Sequence, residues 1–325
     1  MPKPKVAFYW CASCGGCEEA VVDLAEKVLD VVAAVDIVFW PVALDFKKAD
    51  VEAMPDKSIA VTFVNGAIRL SDQEEMVKLL RRKSQILIAF GACAQLGGIP
   101  GLANLWDRAS IFDWYYRAAP SVAAKDAGTP PRVKVTVPEG ELELPAFWDT
   151  VKTLDQVVEV DYTIPGCPPT PKLLGAAVEA ILAGNLPPKG TVLAGTKSLC
   201  HECRLNDTKP EKMLLKDLKR ITEIRLDPEK CHLAQGILCL GPVTRGGCEA
   251  LCIEGHMPCT GCFGPLDQTA DFGGKAVSFL ASIVDVNDEA EAKKILDKVA
   301  DPTGIVYRYS LARSRLGRKR MEVKA

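Results

Sequence analysis

Residues 6–24, V-A-F-Y-W-C-A-S-C-G-G-C-E-E-A-V-V-D-L, decide the fold class. Residues 6–10 are a short apolar run of the kind that forms a buried strand. Cysteines and glycines follow. Then Ala20, Val21, Leu24, Val28 and Val31 recur at helical spacing and predict a helix over 18–32. The same order repeats outward along the chain. Strands are predicted at 36–40, 58–64, 85–90 and 157–164. Helices are predicted at 71–83, opened by a capping box of Ser71 with Glu74, and at 170–183. The second has Thr170 as N-cap, Pro171 in its first turn and Gly184 just past its end. Such alternation implies an α/β, doubly wound parallel sheet with helices on both faces. A long insertion, 99–155, carries Trp106, Trp114 and Trp148 and a hairpin over 133–144 centred on Glu139-Gly140.

The pattern changes at Pro187-Pro188, which predicts one domain over 1–186 and a smaller one over 187–325. From there to Asp271 periodicity is weak while Cys, Gly and Pro are dense. A segment of that kind folds around metal, so binding energy becomes folding energy. Two helices follow, at 275–283 and 289–299. The basic tail 313–320 reads as a solvated terminal face.

Composition narrows the function classes. The chain has 325 residues, 48% hydrophobic and 25% charged, which rules out long-range disorder as its main state. A net charge of −2 provides no basic field for nucleic acid. The most apolar stretch, 86–105, is broken by Gly91, Gly97, Gly98, Pro100 and Gly101, too often for a membrane span. The N-terminus lacks a signal-peptide layout, so a cytoplasmic location is predicted.

Thirteen cysteines are the unusual feature. Thiols in such a compartment stay reduced, and clustered ones read as metal ligands. Cys11, Cys14 and Cys17 follow the first predicted strand, Cys93 the fourth and Cys167 the fifth. Strand carboxyl ends line the crevice of an open parallel sheet, so these loops converge there. Cys14, Cys17, Cys93 and Cys167 supply four thiolates, fit for zinc or a cubane iron–sulfur cluster. On spacing, Cys11 can replace Cys14. Gly15, Gly16, Gly91 and Gly166 let backbone amides approach an anionic cluster, which favours iron–sulfur over zinc.

Eight cysteines remain. Chain order divides them into Cys200, Cys203, Cys231 and Cys239, then Cys248, Cys252, Cys259 and Cys262. Exchange of ligands between the sets, as in two-cluster ferredoxins, stays open. His201, His232 and His256 read as solvent-facing or supporting residues rather than ligands. Three clusters make a one-electron conductor. The chain has no Walker A motif, no G-x-G-x-x-G after the first strand and no arguable Ser/His/Asp triad, so catalysis is expected in a neighbouring subunit.

The stretches W-C-A-S-C-G-G-C-E-E, G-A-C-A-Q-L-G-G-I-P-G-L-A-N, I-P-G-C-P-P-T-P and R-G-G-C-E-A-L-C with P-C-T-G-C-F-G-P resemble the small subunit of nickel–iron hydrogenases. The likeness is nearest to the cytoplasmic, methyl-viologen-reducing group associated with heterodisulfide reductase, which the C-terminal stretch D-P-T-G-I-V-Y-R-Y-S-L-A also resembles. The resemblance implies a flavodoxin-like first domain and an irregular cluster domain. It implies three 4Fe-4S clusters: proximal on Cys14, Cys17, Cys93 and Cys167; medial on Cys248, Cys252, Cys259 and Cys262; distal on Cys200, Cys203, Cys231 and Cys239. Cys200 stands where many members have histidine, and Cys252 adds a fourth medial ligand. Cys11 is implied to be a bystander. Glu18 is implied to lie near the subunit boundary, on a proton route. The implied partners are a large subunit with the nickel–iron centre, an iron–sulfur adaptor subunit and heterodisulfide reductase. The rival readings are another cytoplasmic hydrogenase (deazaflavin-, NAD(P)- or sulfur-reducing), a single-cluster complex I subunit, a ferredoxin-type electron carrier acting alone and a zinc-binding scaffold.

Overall fold

The strands of the computed structural model, which describes residues 2–123 and 130–315, are β1 (Lys5–Trp10), β2 (Asp36–Phe39), β3 (Ile59–Asn65), β4 (Ile68–Leu70), β5 (Ser84–Phe90), β6 (Lys134–Val137), β7 (Gly140–Glu143), β8 (Phe147–Lys152) and β9 (Tyr162–Ile164). The helices are α1 (Gly16–Val22), α2 (Lys27–Ala34), α3 (Lys48–Ala53), α4 (Ser71–Lys83), α5 (Ala92–Leu96), α6 (Arg108–Asp113), α7 (Pro171–Leu182), α8 (Leu251–Glu254), α9 (Phe272–Ile283), α10 (Glu289–Leu296) and α11 (Pro302–Val306).

The main sheet runs β2-β1-β3-β5-β9, all parallel. Counting only its own strands, this is the flavodoxin-like order 2-1-3-4-5, with the switch point between β1 and β3. Alternate residues face opposite sides. Phe8, Val61, Phe63, Ile88 and Phe90 pack with Val21 and Leu24 by α1 and with Leu174 and Ala177 of α7. Ala7 and Ile59 pack on the other side against Met76, Leu79 and Leu80 of α4, while Val64, Leu87 and Ala89 meet Val77 of the same helix. The cysteine-rich half has its own cores. One surrounds Cys231, Cys239 and Cys259, and the other joins Leu240, Phe272 and Tyr307.

Several expected elements differ in detail. The helix over 18–32 is two helices, α1 and α2, separated at Ala25, whose φ is 54°. Val21, Leu24 and Val31 still face one core, so the apolar period conceals the break. The strand over 157–164 shrinks to β9. The amides of Val157 and Val158 both bond to Leu154 O, and the ladder begins only at Asp161 N–Leu87 O, 2.9 Å. The capping box uses Gln73, not Glu74, because the helix starts one residue early. Gln73 Oε1 accepts from the amides of Arg69 and Leu70, and Glu74 instead pairs with Lys78 and Lys152. The Thr170 cap and the hairpin about Gly140 form as read. The two later helices are α9 and α10, the first starting three residues early. Past Pro188, residues 190–193 still bond to the edge of β9. Residues 316–320 of the basic tail lie outside the described residues. No described helix is long and apolar enough to cross a membrane.

Candidate metal centres

Three loops at the carboxyl end of the sheet carry Cys14, Cys17, Cys93 and Cys167. Cys14 and Cys17 flank the start of α1, Cys93 is the second residue of α5, and Cys167 follows β9. Gly91 amide bonds to Ile164 O (2.7 Å) and Ala92 amide to Gly166 O (2.6 Å), tying the second loop to the third. The four thiols sit within electrostatic reach. Burial pushes Cys17 up, and Cys93, Cys167 and Cys14 push it further. Burial first, then Cys167 and Cys14, push Cys93 up to about 12. Four thiols that oppose each other's ionisation need a cationic group between them to be held as thiolates.

Two glycines keep that space clear. A Cβ on Gly91, whose φ is +86°, would overlap Cys17 Sγ. One on Gly98, at φ +57°, would overlap Cys93 Sγ. Both positions exclude ordinary side chains by conformation and by contact.

Cys11 lies elsewhere. It is buried among Val64, Ile68 and Leu154, and its amide bonds to Asn65 O at 2.8 Å. Burial and Asp72 hold its thiol well above the usual range. It is absent from the charges acting on Cys17, Cys93 and Cys167.

Cys200, Cys203, Cys231 and Cys239 line one small cavity with Leu199, Ile253 and His232. Gly241 leaves room between two of them: a Cβ there would lie 3.5 Å from Cys200 Sγ and 3.6 Å from Cys239 Sγ. His232 is 2% exposed, and its Nε2 has no hydrogen-bond partner. A buried ring nitrogen without a partner is costly, and a group held by the four thiols would supply one. Burial, His256 and Arg204 lower the His232 pKa. His201 and His256 are exposed, in keeping with their reading as solvent-facing.

In the remaining set, burial, then Cys248 and Cys252, push Cys262 up to about 12. Cys259 feels Cys239 before Cys262, and its amide points at Cys239 Sγ, 3.3 Å away. Cys262 in turn feels Cys167. The second and third sets of cysteines meet where the Cys259 amide reaches Cys239 Sγ. Among the described residues no three Cys, His, Asp or Glu close on a point as a single metal ion requires.

Two carboxylates beside these groups are held by long-range bonds. Glu18 is 4% exposed; Trp40 Nε1 and Asn65 Nδ2 each donate to it at 2.9 Å. Burial raises its pKa, and those bonds offset part of the rise. Glu202 accepts from the amides of Gly247 (2.9 Å) and Cys248 (3.1 Å). Sequence reasoning missed Trp40, Asn65 and Glu202. Asn65-Gly66 is a turn signal at the end of β3, and Glu202 sits inside C-H-E-C, yet neither cue names the partner.

Comparison with known proteins settles the family. The family model described as NADH ubiquinone oxidoreductase, 20 Kd subunit, matches residues 14–181. The iron-sulfur subunit of the F420-non-reducing hydrogenase of Archaeoglobus profundus is 43% identical over 97% of this chain and 98% of its own. The chain belongs to the small-subunit family of nickel–iron hydrogenases. A subunit of the vhu F420-non-reducing hydrogenase of Methanocaldococcus jannaschii is 36% identical over 97% of both chains. A solved chain of the [NiFeSe] hydrogenase from Desulfovibrio vulgaris Hildenborough covers 82% of this hydrogenase subunit and 95% of itself, with TM-score 0.51 and 17% identity, and so shares its fold. The family model ends before the eight later cysteines of this hydrogenase subunit, which the single-cluster reading does not explain.

Proposed function

We propose that this hydrogenase small subunit conducts electrons from H2 oxidation on a large subunit to an iron–sulfur adaptor subunit linked to heterodisulfide reductase, in the cytoplasm. The observation that carries the reading is the three sets of four cysteines on a chain of the hydrogenase small-subunit family, the later two sets meeting where the Cys259 amide reaches Cys239 Sγ at 3.3 Å. Three 4Fe-4S clusters, when bound, supply one-electron exchange. Cys14, Cys17, Cys93 and Cys167 would hold the proximal one. Cys248, Cys252, Cys259 and Cys262 would hold the medial one, and Cys200, Cys203, Cys231 and Cys239 the distal one.

The chain's other residues prepare these places. Gly91 and Gly98 keep the first clear. The Cys259 amide donates toward Cys239 Sγ, which favours the thiolate. Glu18, buried next to Cys17, holds its carboxyl between the donors Trp40 Nε1 and Asn65 Nδ2. That supports a place on a proton route at the subunit boundary.

Iron, acid-labile sulfide, nickel and zinc in the anaerobically purified complex test the reading. About twelve iron and twelve sulfide per small chain are expected from three cubanes, with nickel confined to the larger partner. Zinc without sulfide would overturn it in favour of a scaffold.

A further inference from the structure

The segment that carries Cys200 and Cys203 lies along the one that carries Cys248. Leu199 amide donates to Thr244 O at 2.8 Å and Gly246 amide to Lys197 O at 2.9 Å, about a bridge between Ser198 and Arg245. The first segment then curls into a helical turn over Leu199–His201, and the next two amides of the second go to a side chain. Gly247 amide donates to Glu202 Oε1 at 2.9 Å and to Oε2 at 3.0 Å, and Cys248 amide donates to Oε1 at 3.1 Å. Cys248 Sγ lies 3.6 Å from the same Oε1. Gly246 leaves the carboxylate its room, since a Cβ there would lie 3.4 Å from Glu202 Cδ. Lys172 is engaged by the neighbouring Glu249 at 2.7 Å.

Both oxygens of Glu202 thus accept from backbone amides, as those of an ionised carboxylate do. The Cys248 thiol lies close enough to donate to Oε1, but a cysteine that ligates iron is a thiolate and has no hydrogen to give. The carboxylate then stands beside a sulfur with no hydrogen between them, and the two amides hold it there. Negative charge beside a cluster opposes the uptake of an electron, and net charge is one of the terms that set a cluster potential. Glu202 is exposed, so water and salt screen the effect and keep it modest.

We propose that Glu202 is a positioning residue that fixes the Cys248 loop, keeps a negative charge beside its sulfur and so holds the potential of the medial cluster down. The inference rests on the cluster assignments proposed above. In the chain Glu202 stands between two distal ligands, yet its carboxylate acts on a medial one. A change in C-H-E-C therefore reaches the medial cluster as well as the distal one. A lower medial potential favours passage of the electron onward from medial to distal.

The test is a potentiometric titration of the anaerobic holo-complex, followed by electron paramagnetic resonance, after iron and sulfide are counted. Glu202→Gln and Glu202→Met both remove the charge, and only the first brings an N–H of its own. In each, with full iron, the reduced-to-oxidised ratio of the medial signal at fixed potential should rise about threefold, ~28 mV for one electron. The distal signal should move less, and the proximal signal should stay in place. Salt at about 1 M should narrow the gap between parent and variants, because an exposed charge is screened; a loop that is merely displaced would keep it. Glu249→Gln, beside Cys248 but paired with Lys172, should move the medial signal less. A rise in Glu202→Gln with Glu202→Met at the parent value would come from a new N–H at the sulfur and overturns the inference. An unchanged or lowered medial potential in both does the same, as does an equal shift in Glu249→Gln. If one variant loses iron, the other decides by its shift and its salt dependence. Loss of the medial iron in both would make Glu202 a fastener of the loop and overturn its part in the potential. A parent complex without iron and sulfide overturns the cluster reading itself, which no shift in a variant can be mistaken for.

Discussion

The Cys17 thiol and the empty side of Gly91 are one feature seen from two residues. At Gly91 a side chain would be strained by φ +86° and would overlap the sulfur. Gly91→Ala should therefore displace Cys17 and lose the proximal cluster alone, leaving about eight of twelve irons per chain. Iron analysis with the spectrum of the remaining clusters checks this, and a full complement in the alanine variant would refute it. The loops that carry these four cysteines were legible because each follows a predicted strand and glycine stands beside it. Their surroundings were not. Glu18 draws one donor from Trp40 and another from Asn65, 22 and 47 residues along, and local sequence pattern carries no signal over such distances. Cys11 shows the converse: its spacing to Cys14 equals that of Cys14 to Cys17, yet its thiol faces the core on the far side of the sheet.

Among the elements, the parallel strands were read well because fully buried strands are continuous apolar runs. The β4–β8 pair went unseen, since three residues of β4 meet a partner at the far end of the long insertion. The edge of the sheet depends on a buried carboxylate that sequence did not single out. Asp161 accepts from Leu87 amide at 2.8 Å and pairs with Arg81 and Lys189 at 2.5 Å each. Burial opposes its ionisation, but Lys189, Arg81 and the Leu87 amide prevail and hold it below the usual aspartate range. A depressed folded pKa contributes stability that is present above the ordinary value, ~3.9, and is lost as pH falls through the folded one. Asp161→Asn should cost about 2 kcal/mol at pH 7, because Arg81 loses its partner in a half-dry site. Urea midpoints of the anaerobic holo-protein between pH 7 and pH 4 check both claims. The parent should lose stability toward the acid end more steeply than the variant, and parallel curves would count against the assignment.

At the scale of the whole molecule, the C-terminal segment joins the halves through Arg313–Asp155 and Tyr309–Thr260, and nothing periodic in residues 302–313 announced it. The insertion serves the outside instead. Trp106 is 63% exposed, Trp114 55% and Tyr115 70%, with Ile99 and Leu105 also open. These residues follow directly on the Cys93 loop, so the apolar band borders the carboxyl rim of the sheet where the first thiol group lies. Exposed aromatic residues gathered on one segment suit a protein interface, and buried tryptophan carries a large share of interface energy. The large subunit of the hydrogenase is the partner this rim would face. Trp106→Glu should then weaken the complex by at least about 2 kcal/mol, roughly thirtyfold in Kd, while the small chain keeps all its iron. Leu142→Glu, equally exposed on the β6–β7 hairpin, serves as the control for added charge. Sedimentation of the diluted complex reads the result. Free small chain should appear at micromolar concentration with Trp106→Glu and not with Leu142→Glu. Equal dissociation of the two variants, or none, would place the large subunit elsewhere and leave the aromatic band to a different partner.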